Sequence, residues 1–194
     1  MRIRLAQLTA GLLWLLAAAP GECQLFTCPK LDGAKPNKLV AYLQGDRASL
    51  PQDCVLFAIE RLGFAGYTPA IPILITYLDY PRPQDPGPWH SHAQSAGYLY
   101  PAASALFGMG KAAAPALLCA IASLEISEVA RKNAAEAVFA LYSREDVTEG
   151  IAVMMRASRE ESDAYSRAHL EDAARYWASR CPPEHQNACM AALQ

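Results

Sequence analysis

The stretch 101–118, PAASALFGMGKAAAPALL, constrains this chain more than any other. It reads as two helices rich in small residues, joined by a corner at Gly108 and Gly110. Such a unit cannot bury its apolar face alone and needs neighbours of its own kind. The chain supplies them. Moved on by 32 residues, Ala102, Ala103, Ala105, Leu106 and Phe107 fall on Ala134, Ala135, Ala137, Val138 and Phe139. Moved back by 45, Gly108 falls on Gly63 and Ala103 on Ala58, the longer step being explained by a Pro-rich interruption. Self-similarity at this period, each unit a helical hairpin, predicts an α-solenoid.

The flanking units follow from periodicity. Pro36 opens a short helix, PNKLVAYLQ, which Gly45 ends. Ser49-x-x-Gln52 has the form of a capping box. It introduces a helix with Val55, Ala58, Ile59 and Leu62 on one face, ended by Gly63 and Gly66. Thr68-Pro69 starts its partner, with Ile71, Leu74, Ile75 and Leu78 inward and Pro72 tolerated in the first turn. Ser127 is expected to cap a third hairpin, whose first helix turns Ala130, Ala134, Ala137, Val138 and Leu141 inward. Ser143 is expected to begin its second helix, with Val147, Ile151, Met154 and Met155 inward. A long helix over 160–179, striped by Leu170, Ala173, Ala174 and Trp177, and a short one after Pro182-Pro183 complete the chain. No stretch reads as a strand.

Two segments carry the closer resemblance. Glu128–Val138 (EVARKNAAEAV) resembles the V-R-x-x-A-A-x-A-L run that opens HEAT-like repeats. Ala102–Gly110 followed by Ala114–Leu118 is similar to that family's A-A-x-A-L-G-x-x-G…A-x-P-x-L core. The resemblance covers about residues 50–160. The third unit lacks the glycine pair, with Ala140 and Tyr142 near those positions, and the first has Glu60 and Arg61 where small or apolar residues are usual. The resemblance implies an all-α fold, a short α-solenoid of about three HEAT-like helical hairpins with a C-terminal capping helix pair. It further implies a scaffold or adaptor surface, with rare enzymes such as bilin lyases, and it supplies no catalytic residue.

Residues 1–23 have the layout of a secretory signal peptide. Arg2 and Arg4 precede the twelve-residue apolar run Leu8–Ala19, which is short for a membrane span of about 20 residues. Cleavage after Cys23 fits better than cleavage before Pro20. An uncleaved anchor and a lipidated Cys23 are the alternatives, the second lacking the usual Leu and small residue before the cysteine. Residues 24–49 then form an N-terminal segment with one short helix, and 50–194 the repeat domain. Export permits disulfides among the six cysteines. Cys28 and Cys54 bracket the first helix, and Cys181 and Cys189 flank the Pro-Pro turn, so these pairings are candidates. Connectivity does not follow from sequence. Cys119, among Ala, Leu and Ile, reads as a buried small hydrophobe.

The seventeen residues Pro81–Gly97 (PRPQDPGPWHSHAQSAG) form the Pro-rich interruption, long for a connection inside a compact domain. Trp89, with Tyr80, Tyr98 and Tyr100 at the ends, suits protein or peptide contact, or packs back over the repeats. His90 and His92, with Asp85, offer a metal site only if further ligands exist elsewhere. The candidate contact residues are therefore Trp89, His90, His92, Tyr98 and Tyr100. Glu160, Glu161, Asp163, Glu171 and Asp172 lie near Ser162 and His169, but charges there alternate as on a solvated helix face. No motif with a catalytic mechanism is present. A formal net charge of −2 and a pI near 6.1 argue against a nucleic-acid partner. The reading is a non-enzymatic, exported protein (secreted or periplasmic) that binds an unidentified protein partner. No cofactor and no membrane span in the mature chain are expected. A metal-dependent or lyase-type enzyme using His90 and His92, and a structural envelope subunit, are the alternatives.

Overall fold

The computed structural model describes residues 26–83, 99–144 and 146–194. The expected signal segment, Cys23 included, lies outside them. Among the described residues there are nine α-helices and no strand. They are α1 (Pro36–Leu43), α2 (Gln52–Phe64), α3 (Ile71–Ile75), α4 (Pro101–Gly108), α5 (Ala114–Ala122), α6 (Glu128–Tyr142), α7 (Glu149–Glu160), α8 (Ala164–Ser179) and α9 (Gln186–Ala191). Short 3₁₀ turns lead into α3, α5 and α9.

Packing follows the apolar stripes. Along one row α1 lies on α2, α2 on α4, α4 on α6 and α6 on α7. Along the other α3 lies on α5 and α5 on α8. Contacts of α5 with α6 and of α7 with α8 join the rows. Ala102, Ala103, Ala105 and Leu106 of α4 are buried, as are Ala134, Ala135, Ala137 and Val138 of α6. Small side chains let the two helix backbones approach. At the α2–α4 contact this reaches its limit: a Cβ on Gly63 would stand 2.6 Å from that of Ala105. Gly63 therefore lies inside α2 rather than ending it. The stop is Gly66, at φ +57°, a conformation that glycine adopts without strain.

Two disulfides lie near the two ends of the described chain. Cys28 and Cys54 are joined at 2.02 Å and Cys181 and Cys189 at 2.01 Å. Both fit an oxidising compartment. Cys119, by contrast, is exposed on α5 rather than buried. Among the described residues no helix is long and apolar enough to cross a membrane.

Four boundaries differ from expectation for local polar reasons. The Ser49–Gln52 capping box does not form, because Pro51 is the N-cap residue of α2 and Ser49 Oγ donates to Asp46 O at 2.8 Å. The helix begun at Ile71 stops at Ile75, where Thr76 Oγ1 donates back to Ile73 O at 2.8 Å. Ser143 closes α6 instead of opening the next helix. Asp146 Oδ1 accepts from the backbone and hydroxyl of Thr148, holding a turn that delays α7 to Glu149. Glu160 ends α7, and Asp163 caps α8 by accepting from the N–H groups of Tyr165 and Ser166. The Ser127 cap forms as expected, accepting from Ala130 N at 3.2 Å.

Candidate functional site

A concavity of about 380 Å³ runs between α6 and α8 over the end of α5. Helical spacing explains its walls. On α6 Glu128, Lys132, Ala135 and Glu136 recur at three- and four-residue steps, and on α8 His169, Asp172, Ala173 and Tyr176 do the same. Ile121, Ala135, Ala173 and Trp177 give it an apolar floor. Trp177 is fixed from behind by Phe139, the rings stacked at 4.4 Å and 5°. Tyr176 meets Trp177 edge to face at 5.4 Å and carries Arg180 over its own ring at 4.0 Å. Tyr176 is still 48% exposed, and Tyr165, eleven residues earlier on the same helical face, is 73% exposed.

The rim is charged but largely self-paired. Lys132 Nζ meets Glu128 Oε1 at 2.6 Å, which holds the glutamate below its ordinary pKa and the lysine above its own. Arg175 binds Glu171 at 2.7 Å and Asp172 at 3.2 Å. Arg131 Nη1 donates to the carbonyls of Ile126 and Ser123 at 2.7 and 3.3 Å. Among the described residues no hydroxyl or thiol is hydrogen-bonded to a histidine, and no group of three His, Cys, Asp or Glu stands close enough to hold a metal.

One end of the groove is tied to the root of the Pro-rich segment. Asn133 of α6, buried, donates to Leu78 O at 2.7 Å. Ser127 Oγ donates to Asp79 Oδ2 at 2.8 Å, and Arg47 Nη2 meets Asp79 Oδ1 at 2.9 Å. Burial pushes the Asp79 carboxyl up, but the hydrogen bonds from Ser127 and Arg47, with the guanidinium charge, outweigh it and hold the group below its ordinary value. Arg47 also lies over the rings of Tyr77 and Tyr80, at 5.1 and 4.9 Å. Burial raises the Tyr77 hydroxyl, with Arg47 pulling the other way.

The candidate contact residues Trp89, His90, His92 and Tyr98, and Asp85 with them, lie outside the described residues. Tyr100 is half-buried at the start of α4. The described ends of the interruption meet: Arg82 N donates to Leu99 O at 2.7 Å. The Arg82 side chain, 10% exposed, bonds Glu60 at 2.7 Å and covers the Phe26 ring at 4.9 Å. Glu60, unusual for the repeat pattern, thus holds the base of the interruption. Sequence reasoning missed this bridge and the Arg47–Asp79–Ser127 cluster, whose members are separated by 22 to 48 positions. It named Trp177 only as core, and the aromatic pair Tyr176–Trp177 beside an alanine stripe was the available signal for the groove. Compared with known proteins, the chain matches no family model, no curated protein and no solved structure.

Proposed function

We propose that this chain is a non-enzymatic, exported binding module, a short α-solenoid of about three HEAT-like helical hairpins, which seats a segment of a protein partner in the α6–α8 groove. The carrying observation is the groove itself, with its apolar floor, its exposed tyrosine edge and a rim on which Lys132 is already paired with Glu128 and Arg175 with Asp172. A floor of this kind favours apolar and aromatic side chains over a free ion. The repeated alanine register of α4 and α6 supports the solenoid reading, and the two disulfides with the signal-like segment 1–23 support export to the periplasm or outside the cell. The second part of the proposed contact surface is the Pro-rich segment, with Trp89, His90, His92, Tyr98 and Tyr100, whose root is bonded to the groove through Asn133.

The test is a pull-down from the native envelope with three baits: the mature chain, Tyr176→Ala, and a chain lacking Pro81–Gly97. A partner lost with Tyr176→Ala supports the groove. A partner lost only with the deletion moves the site to the Pro-rich segment, where Trp89→Ala is then expected to weaken binding by more than about 1 kcal/mol. Recovery of nothing by the mature chain contradicts the proposal. A structural envelope subunit is the second reading, favoured by Phe64, which stands 91% exposed at the end of α2.

A further inference from the structure

The ends of α4 and α6 lie side by side and enclose a second pocket, of about 300 Å³. Gly110, at φ +69°, turns the chain after α4 and brings Lys111 to its edge. A Cβ at Gly110 would meet nothing within 4 Å, so the corner is open. Leu141 closes the inner side. The two corners exchange cations: Lys111 Nζ lies 5.1 Å from the Tyr142 ring centre, and Arg144 Cζ lies 4.4 Å from that of Phe107. Each helix end thus provides a ring for the other's positive charge.

Arg47, Arg82, Lys132 and Arg175 all meet a carboxylate. Among the described residues Lys111 and Arg144 meet none, and no carboxylate lines this pocket. A ring face positions a cation without neutralising it and leaves its N–H groups free to donate. Two such cations thus line one small pocket that no described carboxylate lines. We propose that this corner pocket binds a small dianionic oxyanion, a phosphate monoester or a dicarboxylate, held between Lys111 and Arg144. The site is separate from the α6–α8 groove and does not depend on the reading given to that groove.

The experiment is a calorimetric titration of the mature chain at low ionic strength with inorganic phosphate and, separately, with succinate. Saturable one-to-one binding of either anion is expected. The tighter of the two assigns the phosphate or the dicarboxylate class. Lys111→Gln and Arg144→Gln should each weaken it roughly tenfold or more, as loss of a charge-assisted hydrogen bond does. Arg175→Gln removes the same charge on α8 and should leave it unchanged. Circular dichroism of the variants confirms that the exposed substitutions leave the fold intact. The proposal is overturned if neither anion binds saturably, if the double variant Lys111→Gln/Arg144→Gln binds as the parent does, or if Arg175→Gln weakens binding equally.

Discussion

The N-terminal side of the molecule, residues 26–83, and the C-terminal side, residues 149–194, each carry a disulfide but use their polar side chains differently. On the N-terminal side the bonds reach far along the chain. Arg47 bonds Asp79, Glu60 bonds Arg82, Tyr77 Oη donates to Leu43 O, and Asn133 reaches in to Leu78. On the C-terminal side most bonds stay within one or two helical turns, as in Asp163 with Ser166, Arg167 with Glu161 and Arg175 with Glu171. The link from Arg159 to Gln194 O is the long exception. Long-range polar bonds register one helix against another. Helix-local bonds stabilise a helix without committing its outer face, and α8 accordingly presents Tyr165 and Tyr176 to solvent. The contrast fits the proposed function, with framework on the N-terminal side and the proposed contact surface on the other.

The largest test concerns the disulfides. Cys28–Cys54 closes a 26-residue separation and Cys181–Cys189 one of eight. By loop entropy, replacing the first pair with serine should cost about 3.5 kcal/mol and the second about 2.5 kcal/mol. Denaturant unfolding measures both, and a larger loss from the C-terminal pair would reverse the assignment of framework. Next, Gly63→Ala forces a methyl group into the α2–α4 contact, where Ala105 backbone and side chain stand at 2.7 and 2.6 Å. A cost of about 3 kcal/mol is expected, at the upper end for overpacking, and a fall in Tm reads it out.

How much of this was legible in the sequence depends on the range of the interaction. The alanine register of α4 and α6 and the Ser127 cap were readable, because each rests on spacing or on residue type, whereas the two cysteine pairings were only candidates until the fold joined them. The Ser49 box failed because an equally local competitor, the Asp46 turn, held the same serine. Cys119 was misplaced because its neighbours are apolar, while the direction it faces depends on which helices pack against α5. The corner pocket was not readable and the groove only through its Tyr176–Trp177 pair, since α6 meets α8 and the end of α4 only in the fold.

A smaller effect depends on pH. The folded Asp79 carboxyl sits below its ordinary value of 3.8, so its ionised form is favoured in the folded state. That stability is complete above the unfolded-state pKa and is lost as pH falls through the lower folded value. Asp79→Asn is therefore expected to cost about 1 kcal/mol at pH 7 and much less near pH 2. Equal costs at the two pH values would remove Asp79 from the framework. The smallest effect on stability belongs to the contact side. Tyr176→Ala, which removes the edge-to-face contact with Trp177 and the ring under Arg180, should change unfolding free energy by no more than about 1 kcal/mol, so a loss of partner binding in that variant is not a loss of fold.

The most direct measurement places a photo-crosslinking amino acid at position 176 and, in a second chain, at the exposed position 38 of α1, each expressed in the native source. A discrete protein adduct is expected from position 176 and none from position 38. An adduct from position 38 alone, or equally from both, would contradict the division into a framework side and a contact side.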